Sequence, residues 1–363
     1  MTTVFPGAID ALPRPGSATY TDDSEYELDV VLDKISDAIE ALEGVVIRQS
    51  SDPLTINGNM DHFQSVDSNS QTSTTTYSTT TSYAADQMYV LPAGASVTQQ
   101  RSTSVPDSKS RYSLEVTGAS SVTTVDIGQR IEAAVVNTRA LQSLIFSCYV
   151  YNDSGAAFTP NLRVGTPGSV DSFGTVTNRL DQALQSCANG AWTRVYHVFD
   201  PSAYTNIANG LDVALRVPSG SLVSGDVVRV AQFDLRPGVA LAAYVPPNPD
   251  EELFRALRFY QRLEAGSSYT VFAMGKATNT TSAEFGLLYA KMRTSPTVTI
   301  SSYTHFEIDD NGPIACSSLS GDLIGPSTCR LLGGVASGLT AGHGVLIRAA
   351  NTTSAKISLA ARL

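Results

Sequence analysis

Residues 144–151 read Leu-Ile-Phe-Ser-Cys-Tyr-Val-Tyr, and Asn152-Asp153-Ser154-Gly155 follow them directly. This density of β-branched and aromatic residues favours a strand, and the Asn/Asp/Ser/Gly cluster favours a turn. The same pattern returns in residues 192–199, 211–217 and 227–235. Strands at regular spacing with turn signals between them predict an antiparallel β-sandwich or jelly roll, which we assign to residues 54–245.

A second unit is predicted after Pro246-Pro247-Asn248-Pro249, where three prolines in four positions prevent regular structure. Carboxylates at residues 250–252 favour the start of a helix. We assign to its inner face the apolar and aromatic residues that follow, Leu253, Phe254, Leu257, Tyr260 and Gln261, and we place its end at Gly266. Short strand-like segments between residues 269 and 359 then predict that 250–363 is a helix plus a second β-sandwich.

A heptad stripe precedes the β-regions, in residues 24–48. Its apolar positions alternate spacings of four and three: Leu28, Leu32, Ile35, Ile39, Leu42 and Val46. A helix of about 20 residues is marginal alone in water, so the stripe needs a partner. Either it packs on its own β-domain, or it meets the same helix of other copies, and its β-branched content then favours a parallel homotrimer.

Residues 1–23 contain three prolines and two glycines, so an extended and irregular arm is expected. Phe5, Pro6, Ile9 and Leu12 give this arm apolar points of attachment. The arm is therefore either a plain disordered terminus or an anchor that becomes ordered on binding. The complete fold prediction is a mainly β protein whose two sandwich domains follow an extended arm and a short trimeric coiled-coil helix.

Composition limits the classes of partner. The chain of 363 residues carries a formal charge of −10, and only 16% of its residues are charged. Nucleic acids and anionic membranes are bound through clusters of Lys and Arg, so neither is expected as the main partner. An apolar run long enough to cross a bilayer and a basic leader segment are both missing from the sequence, so membrane insertion and secretory export are not expected.

Residues suited to catalysis or metal binding are scattered. The four histidines have no local partner at a triad or metal-ligand spacing, and Cys148, Cys187, Cys316 and Cys329 show no CxxC spacing. Cys316 and Cys329 either pair or, as cytosolic assembly favours, stay reduced. His305, Glu307 and Asp309-Asp310 form the densest polar cluster, but Asp-Asp-Asn-Gly is first a turn signal. We expect no enzymatic activity, no cofactor and no metal.

A binding role fits the sequence better. Lectin sites combine an exposed aromatic ring with short polar side chains, because sugars present an apolar face and a rim of hydroxyls. In a strand, Trp192, Arg194 and Tyr196 share one face, and Tyr149 and Tyr151 share a face of the earlier strand. We predict these five residues as a glycan-binding surface. In the alternative, Trp192 anchors the sandwich core.

Three segments together resemble bacteriophage fibre and spike proteins. The first is Phe5-Pro6-Gly7-Ala8-Ile9-Asp10 with residues 37–42, which looks like a virion-anchoring arm and helix. The second, residues 56–64 and 83–89, is similar to the opening of a carbohydrate-module-like jelly roll. The third, residues 230–238 with 251–262, resembles the family's closing strand and its Cys-Gln-Arg-Tyr-Tyr helix. This chain has Gln87-Met88 where the family more often has Arg-Trp, and Leu257 where the family has Cys.

The resemblance implies a homotrimeric virion protein, held by its N-terminal arm to capsid, collar or tail proteins and exposed on the released particle. It would bind host cell-surface polysaccharide through its β-domains. Two alternatives remain at this point. One is a decoration or collar protein that stabilises the particle without a ligand. The other is a polysaccharide depolymerase, which would need a pair of carboxylates in a cleft.

Overall fold

The computed structural model describes residues 34–35, 53–64, 75–77, 81–83, 85–139 and 142–363. The chain is mainly β, as the sequence predicts. The anchor residues Phe5, Pro6, Ile9 and Leu12 lie outside the described residues, and so does the heptad stripe apart from Ile35. Lys34 and Ile35 are helical and exposed. Among the described residues, no helix is long and apolar enough to cross a membrane.

The N-terminal unit contains twelve strands and one short helix within its described part. Their bounds are β1 Thr75–Tyr77, β2 Ser82–Tyr83, β3 Tyr89–Ala93, β4 Val97–Ser102, β5 Ser113–Thr117, β6 Thr124–Ile131, α1 Ala133–Arg139, β7 Leu144–Asp153, β8 Asn161–Ser169, β9 Ser172–Ala183, β10 Ala191–Phe199, β11 Leu211–Val217 and β12 Val227–Pro237. Sheet A has the order β1-β4-β5-β12-β7-β10, and sheet B has the order β2-β3-β6-β11-β8-β9.

The two sheets bury their inner faces against each other. Alternate residues of β7, including Phe146, Cys148 and Val150, are buried, and so are Val213 and Leu215 of β11. Side chains of a strand alternate between its faces, so the residues between these inner positions lie on the outer face of each sheet. The predicted sandwich is confirmed here. Its outer faces are therefore the surfaces on which a ligand site can be built.

The C-terminal unit begins with a helix and continues with nine strands. Their bounds are α2 Pro249–Leu257, β13 Tyr260–Glu264, β14 Val271–Ala277, β15 Ser282–Leu288, β16 Thr297–Ile300, β17 Phe306–Asp309, β18 Pro313–Asp322, β19 Thr328–Val335, β20 Gly344–Ala349 and β21 Lys356–Ala360. Six of them close into a barrel in the order β14-β15-β19-β18-β17-β20, and β13-β21-β16 form a small sheet. The sequence predicts a second β-sandwich for this unit; the structure has the predicted β-rich unit, but its main sheet closes into a barrel and the three-stranded sheet is separate.

The helix before this barrel is shorter than the sequence predicts. It ends at Leu257, and Tyr260 and Gln261 belong to β13, where they pair with Ala360 and Leu359. The predicted inner face is also wrong, because Phe254 is exposed while Glu252 and Ala256 are buried. Glu252 takes the inner position because it accepts hydrogen bonds from the Asn57 backbone and from Arg255.

Ion pairs join the two units. Arg293 of the C-terminal unit binds Glu132 and Asp171 of the sandwich, each at 2.9 Å, and Arg258 binds Glu132 at 3.1 Å. On the sheet B side, the Arg130 guanidinium donates to the Leu363 carbonyl oxygen at 2.6 Å. These contacts fix one end of sheet B against the C-terminal unit.

Candidate functional site

The five residues predicted as a glycan surface do come together on the outer face of sheet A. Strand β10 is the edge strand beside β7, and its register places Trp192 opposite Tyr151 and Arg194 opposite Tyr149. The Tyr151 and Trp192 ring centroids are 5.5 Å apart. Trp192 is half-buried on this outer face, so it is an aromatic surface residue and not the core anchor of the alternative interpretation.

Much of this surface is already engaged by the protein itself. The Arg194 guanidinium donates to the Ala242 carbonyl oxygen at 2.6 Å, so the segment after β12 holds it in place. Arg229 lies over the Tyr151 ring at 4.9 Å and forms an ion pair with Glu115 at 2.5 Å. The arginines of this surface are therefore already bound within the protein, and its aromatic rings remain candidates only for stacking against a sugar.

A better-formed cavity, which the sequence did not predict, lies on the outer face of sheet B. It has a volume of about 260 Å³. The register explains it: Tyr89, Gly128, Ala214 and Arg163 lie in one row across β3, β6, β11 and β8. The Tyr89 hydroxyl lies over Gly128, and the small side chain of Ala214 leaves a depression beside Arg163. We call this depression the sheet B groove.

One wall of the groove is a carboxylate held by two arginines. The Arg216 guanidinium donates to both oxygens of Asp126, at 2.6 and 2.7 Å, and Arg163 donates to it at 3.0 Å. Only 6% of the Asp126 side chain is exposed, against 29% for each arginine. The carboxylate therefore orients both guanidinium groups, and of these two arginines Arg163 lines the groove.

The other wall combines a second carboxylate with aromatic rings. The Tyr89 hydroxyl donates to Asp212 at 2.8 Å. Arg130 lies 5.3 Å from the Tyr89 ring centroid and 5.5 Å from that of Phe173. Burial raises the pKa of the Asp212 carboxyl to about 6, and burial with the nearby Asp212 raises the pKa of Tyr89 well above its usual value. Together, the two walls thus offer hydrogen-bond donors, acceptors and apolar ring surface.

The raised pKa of Asp212 has a measurable effect on stability. The folded state holds this proton up to about pH 6, whereas an unfolded aspartate releases it near pH 3.8, so the folded state binds more protons between these values. Stability must then fall as the pH rises through this window. We expect the unfolding free energy of the wild type, relative to Asp212→Asn, to drop by about 2 kcal/mol between pH 4 and pH 7. Urea titrations followed by the fluorescence of Trp192 measure the unfolding free energy of both proteins. A difference between them that stays constant from pH 4 to pH 7 would contradict the prediction.

A repeated pattern in the sequence could have indicated this groove. Strand β6 carries Asp126-x-Gly128-x-Arg130, and β11 carries Asp212-x-Ala214-x-Arg216. The two strands are antiparallel neighbours, and the register places Asp126 opposite Arg216 and Arg130 opposite Asp212. Each carboxylate therefore lies directly opposite the arginine of the other strand, and the Gly128–Ala214 pair lies between these two ion-pairing positions. The pattern is informative only when the pairing of β6 with β11 is known.

The acidic cluster around residue 309 is structural. Arg348 forms ion pairs with both Glu307 and Asp309, at 2.7 Å each, and Asp310 accepts from the Thr340 backbone and contacts His343. Asp309 also accepts from the Gly312 backbone, as expected for the turn between β17 and β18. Every carboxylate of the cluster has a partner within the fold.

The four cysteines are all free and buried, so Cys316 and Cys329 are reduced, which is the alternative that the sequence analysis favours. Their registers differ, since Cys316 lies opposite Val335 and Cys329 lies opposite Leu287. Burial raises the pKa of Cys316 to about 12, which keeps it a thiol. Within the described part of the chain, no group of three or more metal-binding side chains is found.

The chain is only weakly similar in structure to known proteins. No family model matches the sequence, and no curated protein matches it. The CBM22-1 xylan-binding domain of Xyn10C from Paenibacillus barcinonensis is 15% identical, with 47% of this chain and 97% of that domain covered and a TM-score of 0.31. A putative sugar binding protein from Bacteroides thetaiotaomicron is 12% identical, with 52% and 100% covered and a TM-score of 0.33. Similarity at this level says nothing about what this chain binds.

Proposed function

We propose that this chain is a carbohydrate-binding protein without catalytic activity and that a polysaccharide lies across the sheet B groove. The observation that carries the proposal is the small side chain of Ala214 on the groove floor, between Arg163, which Asp126 holds in place, and the Tyr89–Asp212 pair. Sugars are bound by planar donors and acceptors that engage neighbouring hydroxyls and by rings that cover the apolar face. The groove presents both.

The state of the two groove carboxylates supports binding over hydrolysis. A glycosidase needs one carboxyl group as acid and a second, free carboxylate as base or nucleophile. Asp126 lies between two arginines, which hold it in a fixed orientation and occupy both of its oxygens. Asp212 accepts a hydrogen bond from the Tyr89 hydroxyl, and burial raises its pKa to about 6. Asp126 is therefore occupied by its two arginines, and the groove does not offer the second, free carboxylate that a depolymerase needs.

In its finer form, the proposal is a homotrimeric fibre or spike of a bacteriophage particle that adheres to host polysaccharide. The heptad stripe of residues 28–46 and the resemblance to virion fibres support it. Three grooves on one trimer, repeated on a particle, would turn weak single-site binding into useful avidity. A particle-stabilising decoration protein is the alternative, and it would have no use for a polar groove.

The test compares polysaccharide binding by a variant whose groove is filled by a larger side chain with binding by proteins whose groove is open. Ala214→Leu places a larger side chain on the groove floor, and Ala315→Leu makes the same change at an exposed position of the barrel. On an array of bacterial surface polysaccharides, we expect the wild type and Ala315→Leu to bind the same glycans. The affinity of Ala214→Leu should fall about 30-fold or more, since one blocked subsite is worth about 2 kcal/mol.

A third variant separates the two candidate surfaces. Trp192→Ala removes one ring of the sheet A layer and leaves the groove intact. If only Trp192→Ala loses binding, the aromatic surface predicted from the sequence is the site and the groove assignment is wrong. If the wild type binds no polysaccharide on the array, the carbohydrate-binding proposal itself is wrong.

A further inference from the structure

The segment that joins the two units displays large apolar side chains to solvent. Val239, Leu241, Val245 and Phe254 are between 37% and 71% exposed. Four such residues within one connecting segment and the helix after it are unusual, because solvent-facing positions in linkers are normally polar. We call these four residues the linker surface.

The backbone under the linker surface is held firmly. Tyr244 is buried between exposed neighbours, and the Ala242 carbonyl oxygen accepts from Arg194 at 2.6 Å. Asn248 caps α2 through the Asp250 backbone N–H at 2.9 Å, and Glu252 on the opposite side of the helix is buried. The apolar side chains are therefore presented on a fixed frame, as a protein interface requires.

The start of the described sandwich lies beside this surface. Arg255, the residue next to Phe254, donates to the Pro53 and Thr55 carbonyl oxygens at 3.1 Å each. Val46 is the last residue of the heptad stripe and precedes Pro53 by seven residues, a span of at most about 25 Å. Copies that meet along the stripe therefore bring their α2 helices close to the axis of the assembly.

We propose that a second copy of this chain covers the linker surface. The inference rests on the self-association in the proposed function and adds to it where the β-domains touch. In a closed ring, the linker surface of each copy contacts its neighbour, so all copies bury theirs. The barrel also exposes Met274, Leu288 and Leu323, but within the described part of the chain no hydrogen bond or ion pair joins these residues to the segment around Pro53.

A photocrosslinker tests the contact directly in the full chain. We would place p-benzoylphenylalanine at position 254, where it replaces a ring of similar shape, and at Met274, which is 73% exposed, as the matched control. Irradiation at position 254 should give covalent dimers and trimers on denaturing gels, while position 274 should give only monomer. Monomer alone from position 254, under conditions where the wild type is oligomeric, would overturn the proposal.

Sedimentation of surface variants gives an independent measurement. In Val245→Ser/Phe254→Ser, the self-association constant should weaken about 30-fold or more, because two apolar side chains lose their burial. Met274→Ser/Leu288→Ser should associate like the wild type. If Ile39→Asp dissociates the oligomer while the linker variant does not, the stripe alone holds the copies together and the linker surface is not an interface. A monomeric wild type would overturn both this inference and the trimer, whereas glycan binding is decided separately by the array.

Discussion

Replacing Asp126 by alanine should lower the unfolding free energy of the N-terminal unit by about 3 kcal/mol and abolish polysaccharide binding. Asp126 is almost fully buried and is the shared partner of Arg163 and Arg216. Without it, Arg216 loses its carboxylate partner, and Arg163 keeps only the longer, more exposed contact with Asp181 at 3.8 Å. Urea unfolding followed by the fluorescence of Trp192, the single tryptophan of the chain, reports on this unit.

A triple variant separates the loss of stability from the loss of binding. Replacing a buried ion network by apolar residues of similar size is often neutral for stability, whereas removing one partner is not. Asp126→Leu/Arg163→Met/Arg216→Met should therefore recover most of the stability and still fail to bind polysaccharide. If Asp126→Ala unfolds at the urea concentration of the wild type, the network does not support the fold as we describe.

Replacing Gly275 by alanine should destabilise the C-terminal barrel by about 3 kcal/mol or more, because no side chain fits there. Gly275 lies opposite Phe285, where β14 and β15 approach closely. A Cβ atom at this position would lie 1.8 Å from the Glu284 carbonyl oxygen, which is backbone and cannot turn away. The two strands would have to separate, and the barrel would lose part of its closure.

The neighbouring strand offers a matched control. Gly286 lies in β15 opposite Met274, and a Cβ atom there would meet nothing within 4 Å. Gly286→Ala should therefore be neutral or slightly stabilising, since alanine restricts the unfolded chain. Calorimetry of the full chain measures both variants. Equal unfolding temperatures for Gly275→Ala and the wild type would contradict the close approach.

The strands could be predicted because their signal is local. The segment 211–217 coincides with β11, and alternation alone assigns the two faces of β7 and β10 correctly. The period of two residues follows from the pleat of a single strand and needs no knowledge of its neighbours. The same locality explains why Asp309-Asp310-Asn311-Gly312 was recognised as a turn.

The errors concern residues whose environment is set by distant segments. Phe254 follows the pattern of a buried helix position, but the buried side of α2 is taken by Glu252, which the Asn57 backbone binds across nearly 200 residues. The six-stranded C-terminal sheet closes into a barrel because β14, which pairs with β15 at the start of the strand order, also pairs with β20 at its end. No short stretch of sequence carries that information.

The sequence by itself determined the mainly β fold class and which side chains of each strand share a face. It also predicted which aromatic residues of β7 and β10 face outward, whereas the pairing of these two strands joins them into the sheet A surface. Only the tertiary structure decided that β6 pairs with β11 and β11 with β8, and thereby that Asp126, Ala214 and Arg163 meet in one groove. The physical reason is that alternation along a strand is fixed by its own backbone, whereas the order and register of strands depend on hydrogen bonds between residues far apart in the chain.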